Sequence, residues 1–268
     1  MADVSALAAL RRRLHPPISP AAPIAAVGFG LDDLDGRFGG QGLPLAAAHE
    51  IAAAEPGETP AACGFALALL ARVLGDRPHQ VALCIQDASA GREYGLGYGP
   101  GLHAYGIDPD RLIFVSVPNV REALRVTDEA LRSTALATVV TEFWDDQDRL
   151  DLAVTKRFNL AAERAGTGCF LLTRRPAGTS AAVTRWRVRS AASRPPAPGL
   201  LGAPAFHLDL TRNRFGKTGQ WSVEWDCHDR LFRTPAGAVR LARPAGDRPF
   251  GDSGAIAGQA FGGRRQVG

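Results

Sequence analysis

Two hydrophobic rhythms divide the chain. Between residues 47 and 173, short apolar runs alternate with longer helical stretches. The runs Ala47–Ala53, Val81–Gln86, Arg111–Val117, Leu136–Thr141 and Gly168–Thr173 predict buried strands, because strands covered on both faces read as continuous apolar segments. Thr59-Pro60 predicts a helix start, a hydroxyl cap followed by proline at the first helical position. The stretch Ala61 to Leu74 that follows is almost entirely Ala, Leu, Phe and Val, so this helix is apolar all round and buried. The stretch Leu102–Tyr105 lies in a helix closed by Gly106. Asn119 caps a helix running through Ser133, and Leu150–Ala165 forms another that stops at Gly166. Strands separated by helices indicate βαβ units and a parallel sheet.

From Ala182 the period becomes 2. Val183, Arg185, Arg187 and Arg189 fall on one side of a strand, Thr184, Trp186 and Val188 on the other. Residues 191–204 are a Pro/Ala/Gly connector. Phe206–Thr211 and Trp221–Asp226 also alternate and flank the turn-rich Asn213–Gly219, which predicts a β-hairpin extending the sheet in antiparallel fashion. The fold class is therefore α/β, with a mainly parallel sheet flanked by helices and a C-terminal antiparallel hairpin. Residues 1–23 read as an N-terminal helix (3–14, with Asp3 or Ser5 as cap, ended by His15-Pro16-Pro17) and a linker. Residues 24–232 read as the core, and 233–268 as a disordered basic tail rich in Gly, Pro, Ala and Arg.

Composition narrows the function classes. The net charge of +4 conceals an asymmetry. Residues 1–173 carry 15 Lys/Arg against 21 Asp/Glu, a net of −6, whereas residues 174–268 carry 16 against 6, a net of +10. A basic final third points to an acidic partner, nucleic acid first. The four cysteines, Cys63, Cys84, Cys169 and Cys227, are scattered singly with no metal spacing, so they read as small buried hydrophobes in a reducing compartment and no metal is expected. No run of about 18 apolar residues suggests a membrane span, and the arginine cluster Arg11-Arg12-Arg13 follows its apolar stretch, the reverse of a secretory signal. The expected location is the cytoplasm.

The segment Gly30-Leu31-Asp32-Asp33-Leu34, then Gly39-Gly40-Gln41-Gly42-Leu43-Pro44, then His49-Glu50-Ile51, resembles the start of a RecA core. The arginine-bearing strand, the connector and the hairpin with a basic turn resemble its end, so the likeness spans roughly residues 24–227. Among RecA relatives the chain is most similar to the ImuA family, SOS-induced mutagenesis-cassette proteins also labelled SulA-like. Tyr98-Gly99-Pro100-Gly101-Leu102, Glu129–Ser133, Thr184–Val188 and Trp221–Asp226 carry that resemblance by order and spacing. It implies a RecA-like core and work in translesion synthesis with ImuB, a polymerase-like hub, and an error-prone DNA polymerase III alpha subunit. RecA or DNA is a further contact.

The chemistry of a RecA ATPase is missing. Its phosphate loop, G-x-x-x-x-G-K-S/T, follows the first core strand, where backbone N–H groups and the lysine hold the phosphates. Here Ala53–Gly64 stands in that place. With Gly57 as the first glycine, Cys63 falls at the lysine and Gly64 at the hydroxyl position. No Lys or Arg occurs from His49 to Ala71, and Glu55 and Glu58 lie where a triphosphate would sit. The next strand ends Gln86-Asp87 with no glutamate before Glu93, and Glu142 follows the strand where a magnesium-holding aspartate is expected. This is a degenerate P-loop: no catalytic residue, no cofactor and no ATPase activity are expected. Gly216-Lys217-Thr218 matches the last letters of the motif but sits in the hairpin turn.

What remains is surface. Tyr94, Tyr98 and Tyr105 surround a glycine loop. Arg174, Arg175, Arg185, Arg187 and Arg189 are the candidate DNA- or partner-binding residues, with Arg212, Arg214 and Lys217 extending them around the hairpin. Arginines at every second strand position stand about 7 Å apart, comparable to phosphate spacing. Phe250, Phe261, Arg264 and Arg265 are candidate docking residues in the tail. The leading expectation is a non-catalytic adaptor in SOS mutagenesis. The alternatives are a SulA-like division inhibitor and a divergent DNA-dependent ATPase using Glu142.

Overall fold

In the computed structural model, residues 25–88, 95, 97–144, 149–175, 178–193, 195, 197 and 199–235 are described. The predicted N-terminal helix, most of the tail, Tyr94 and Glu93 lie outside them. The chain opens with β1 (Ala26–Val27), a short helix α1 (Asp32–Asp35) continued by a 3-10 turn, and β2 (Leu43–Pro44). Then come β3 (Ala48–Ala53), α2 (Thr59–Asp76), β4 (Val81–Asp87), α3 (Gly99–Ala104), β5 (Leu112–Val117), α4 (Val120–Ala130), β6 (Leu136–Phe143), α5 (Leu152–Ala165) and β7 (Gly168–Thr173). β8 (Thr184–Ser190), β9 (Ala205–Asn213), β10 (Gly219–Asp226) and β11 (Leu231–Arg233) complete it.

A nine-stranded sheet runs β11-β10-β9-β8-β3-β7-β6-β4-β5. From β8 to β5 every pairing is parallel, and from β8 to β11 every pairing is antiparallel. The α/β class and the hairpin extension follow the sequence reading. β3 lies between β7 and β8, so all six of its residues are buried. Chain connections leave β3 toward β4 on one side and β7 toward β8 on the other. This is a topological switch point, where a crevice forms outside the carboxyl ends of the strands.

The two faces carry separate cores. On one, α2 covers an aromatic cluster: Trp186 meets Phe29 at 5.7 Å and Phe65 at 5.5 Å between ring centroids, and Trp225 meets Phe232 at 5.0 Å. On the other, α4 and α5, the latter through Phe158, cover Ile85, Val139, Phe143 and Leu171. Helix α2 is long and apolar enough to cross a membrane by length and composition, yet Phe65, Leu69, Leu70 and Val73 are buried in the core.

Local chemistry sets the ends. Asn119 and Asp151 cap α4 and α5, accepting from the N–H groups of Glu122 (3.1 Å) and Val154 (2.8 Å). Gly166 ends α5 at φ 70°. Several boundaries differ from the pattern by a few residues. α4 stops at Ala130 rather than Ser133, α5 starts at Leu152 rather than Leu150, and the cap of α2 is Glu58 rather than Thr59. Before the sheet, Asp35 gathers the N–H groups of Phe29, Gly30 and Leu31 at 2.8, 3.1 and 3.2 Å. Gly42 is required by the turn that follows. Its φ is 88°, and a Cβ there would lie 2.2 Å from the Val27 carbonyl oxygen.

Candidate functional site

The carboxyl ends of β3, β4 and β6 meet the first turn of α2, and the residues there can be followed one at a time. After β3 the chain stays tied to β8: the Ala54 N–H donates to Val188 O at 2.8 Å, and the Arg187 guanidinium donates to Ala54 O at 3.0 Å. The turn passes through Gly57 at φ 92° and reaches Glu58. As the cap residue of α2, Glu58 makes no side-chain bond to the helix's own N–H groups. Its carboxylate instead accepts from the Ser190 N–H at 2.7 Å and the Ser190 hydroxyl at 3.1 Å. A negative charge thus stands at a helix start, the place in an α/β fold that most favours an anionic ligand, and it is committed to the end of β8.

Cys63 and Gly64 lie further along, inside α2 rather than in the loop. Burial, reinforced by the nearby Glu142 carboxylate, pushes the Cys63 thiol up, so it stays protonated. The Gly64 carbonyl accepts from the Tyr105 hydroxyl at 2.9 Å, and a Cβ on Gly64 would lie 3.1 Å from the Phe206 ring. A hydroxyl side chain fits there only if Phe206 moves.

Glu142, near the end of β6, accepts side-chain bonds from Gln86 Nε2 (3.1 Å) and Trp144 Nε1 (2.8 Å) on the same oxygen. Burial raises its pKa, the two donors oppose that, and the neighbouring Asp87 adds to it. The same surroundings push the Cys84 thiol up to about 12. Among the described residues no group of three His, Cys, Asp or Glu side chains is arranged to hold a metal ion.

The arginines divide between internal and outward roles. Arg185 pairs with the fully buried Glu50 at 3.0 Å and donates to Gly178 O. Arg212 stands opposite Arg185 in the ladder and donates to Ser180 O. Burial and then the charges of Arg185 and Arg214 lower its pKa. Arg187 faces Asp209 across the ladder. Arg189 and Arg175 are exposed, Arg174 and Arg214 half-buried, and Lys217 exposed in the hairpin turn. The fold brings Arg185, Arg212 and Arg214 together. Arg174 and Arg175 follow the carboxyl end of β7, and Arg189 directly precedes Ser190, which Glu58 holds at the end of β8. Phe250, Phe261, Arg264 and Arg265 lie outside the described residues. The pattern did not reveal the Glu58–Ser190 link, nor the Ser222 hydroxyl 2.7 Å from His207 Nδ1, since both join residues remote in sequence. A separate surface groove of about 500 Å³ between α4 and α5 is lined by Arg121, Arg125, Arg149 and Arg157 with Asp128 and Asp151.

Fold and site together define a class: an α/β protein with a mostly parallel sheet and a topological switch point, in which the helix after β3 starts beside the Glu58 carboxylate. No family model matches the chain. The chain is 33% identical over 218 residues to Protein ImuA from two strains of Caulobacter vibrioides, a match covering 75% of this chain and 84% of that protein. The chain belongs to the ImuA family.

Proposed function

We propose that the protein is a non-catalytic, RecA-like accessory factor of SOS-induced mutagenesis. It acts in the cytoplasm as an adaptor for ImuB and an error-prone DNA polymerase in translesion synthesis, and it engages RecA or DNA. Membership in the ImuA family supports the cassette role. The strand–loop–helix unit at the switch point supports the RecA-like reading.

One observation carries the loss of catalysis. A phosphate loop delivers its lysine at the first turn of the helix that follows the strand. Because α2 begins at Thr59, Glu58 is the cap residue immediately before its first turn, and we read this carboxylate as standing in the neighbourhood where a phosphate loop carries its lysine. Cys63 and Gly64, the counterparts expected from spacing, sit deeper in the helix. Each charged hydrogen bond lost to a phosphate is worth roughly 1.5–3 kcal/mol. Repulsion from Glu58, and from Glu55 before it, acts in the same direction. Glu142, held by Gln86 and Trp144 with a raised pKa, is a poor magnesium ligand.

The test is binding and hydrolysis of a labelled ATP analogue by the full-length chain, with Mg²⁺, in the presence and absence of DNA, beside pull-down of ImuB. The expected result is no nucleotide signal and specific capture of ImuB. Magnesium-dependent binding with turnover would restore the DNA-dependent ATPase as the leading reading. DNA contact by Arg174, Arg175 and Arg189 would weaken steeply with salt, and a flat salt dependence would remove it.

A further inference from the structure

The two edges of the nine-stranded sheet are built differently. β11 closes one edge with three residues, and its Arg233 is ion-paired to Asp226 and Asp229. A short, charged edge is a poor template for another chain. β5 closes the other edge with six residues, Leu-Ile-Phe-Val-Ser-Val, none of them charged and none proline. It pairs with β4 on one side, and among the described residues no strand lies on the other. Successive residues of a strand point to opposite faces, yet both Ile113 (46%) and Phe114 (42%) are exposed. Both faces of the edge are therefore partly exposed, the Phe114 ring lying beside Gly97, and as an edge strand β5 presents a row of backbone donors and acceptors that an extended strand can satisfy in register.

We propose that β5 is a self-pairing edge, through which two copies of this chain join antiparallel about a two-fold axis perpendicular to the sheet at Phe114. Three features favour a second copy over a foreign strand. The strand carries no charge, so nothing in it repels its own image. Antiparallel pairing centred on Phe114 sets the two Phe114 rings on the same face and places Ile113 opposite Val115 of the second copy; aromatic and β-branched cross-strand pairs are the favourable ones. The flanks are complementary. Asp108 and Asp110 are exposed before the strand and Arg121 is exposed after it, so reversal of direction sets the acidic approach of each copy beside Arg121 of the other, twice by symmetry.

The experiment is analytical ultracentrifugation of the full-length chain over a concentration series. The expected result is a reversible equilibrium between the 28.3 kDa monomer and a species of twice that mass. Phe114→Lys places like charges opposite each other at the axis. It should raise the dissociation constant by about tenfold or more, with an unchanged circular dichroism spectrum. Asp110→Arg and Arg121→Asp should each weaken the dimer, and the two together should restore it. A single 28.3 kDa species up to about 100 µM would overturn the proposal. So would a dimer indifferent to Phe114→Lys. A double reversal as weak as the single ones would also overturn it, because the edge would then be taken by some other segment.

Discussion

His49 should make the protein markedly acid-sensitive. The imidazole is fully buried in β3, and its protons can be assigned. Nε2 lies 2.7 Å from the Pro44 carbonyl oxygen, which can only accept, so Nε2 carries the hydrogen. Nδ1 is then the acceptor, taking a bond from the Thr184 hydroxyl at 2.7 Å, while that hydroxyl receives the Trp186 indole N–H at 3.0 Å. A second proton on Nδ1 would oppose this chain and place a cation in an apolar core. Burial lowers the pKa from 6.5 to about 4, with the Pro44 carbonyl resisting the shift. The unfolded chain therefore binds one more proton than the folded one between those values. Stability is fully present above pH 6.5 and is lost as pH falls toward 4. At about 1.4 kcal/mol per unit, the loss sums to about 3 kcal/mol. Urea unfolding followed by tryptophan fluorescence at pH 7.5, 6, 5 and 4.5 would measure it, with His49→Gln as the non-titrating reference. His207, whose pKa is also lowered by burial, contributes in the same sense, and Glu142 in the opposite sense. The informative quantity is thus the difference between the two proteins. An identical pH dependence in wild type and His49→Gln would refute the reasoning.

Three further outcomes are expected. Glu142→Gln should stabilise the fold above neutral pH, because a carboxyl with a raised pKa carries its penalty when ionised; the gain should fade on acidification, and a gain that grows with acid would contradict it. Trp186→Ala should cost about 3–5 kcal/mol in urea unfolding, since the ring is fully buried against Phe29, Phe38, Phe65 and Trp221; a loss under about 1 kcal/mol would mean the cluster is not the core of this face. Arg185→Ala should cost about 3–5 kcal/mol by removing the cation from the buried Glu50, and Arg185→Ala with Glu50→Gln should recover part of that loss.

Much of the fold was legible because burial writes itself into the sequence. β4 and β7 are unbroken apolar runs since both faces are covered, and β9 and β10 alternate since one face is wet. Strands of two or three residues, β1, β2 and β11, are too short to show any period. Strand order is invisible to composition. β5 reads as a core strand, yet it lies at an edge, and β8 reads as a solvated stripe, yet it is central and holds Arg185 against a buried carboxylate. At the candidate site, the absence of Lys or Arg from His49 to Ala71 and the acids Glu55 and Glu58 were plain in the sequence. The first residue of α2 was not, because a helix start depends on where the backbone bends and Thr59-Pro60 marks it only to within a residue.

The place of β3 also governs how this protein comes into being. Its partners in the sheet are β7 and β8, which end at Thr173 and Ser190. A ribosome adding 5–20 residues per second takes on the order of ten seconds to travel from Ala53 to Ser190. For most of that interval β3 has neither neighbour, and after Thr173 it still lacks β8. The parallel part of the sheet therefore closes from its β5 margin inward, with β4, β5 and β6 able to associate first, β3 enclosed only when β7 and β8 have emerged, and β9 to β11 added afterwards. A ribosome that stalls before Ser190 would release a chain whose open seam is its own central strand.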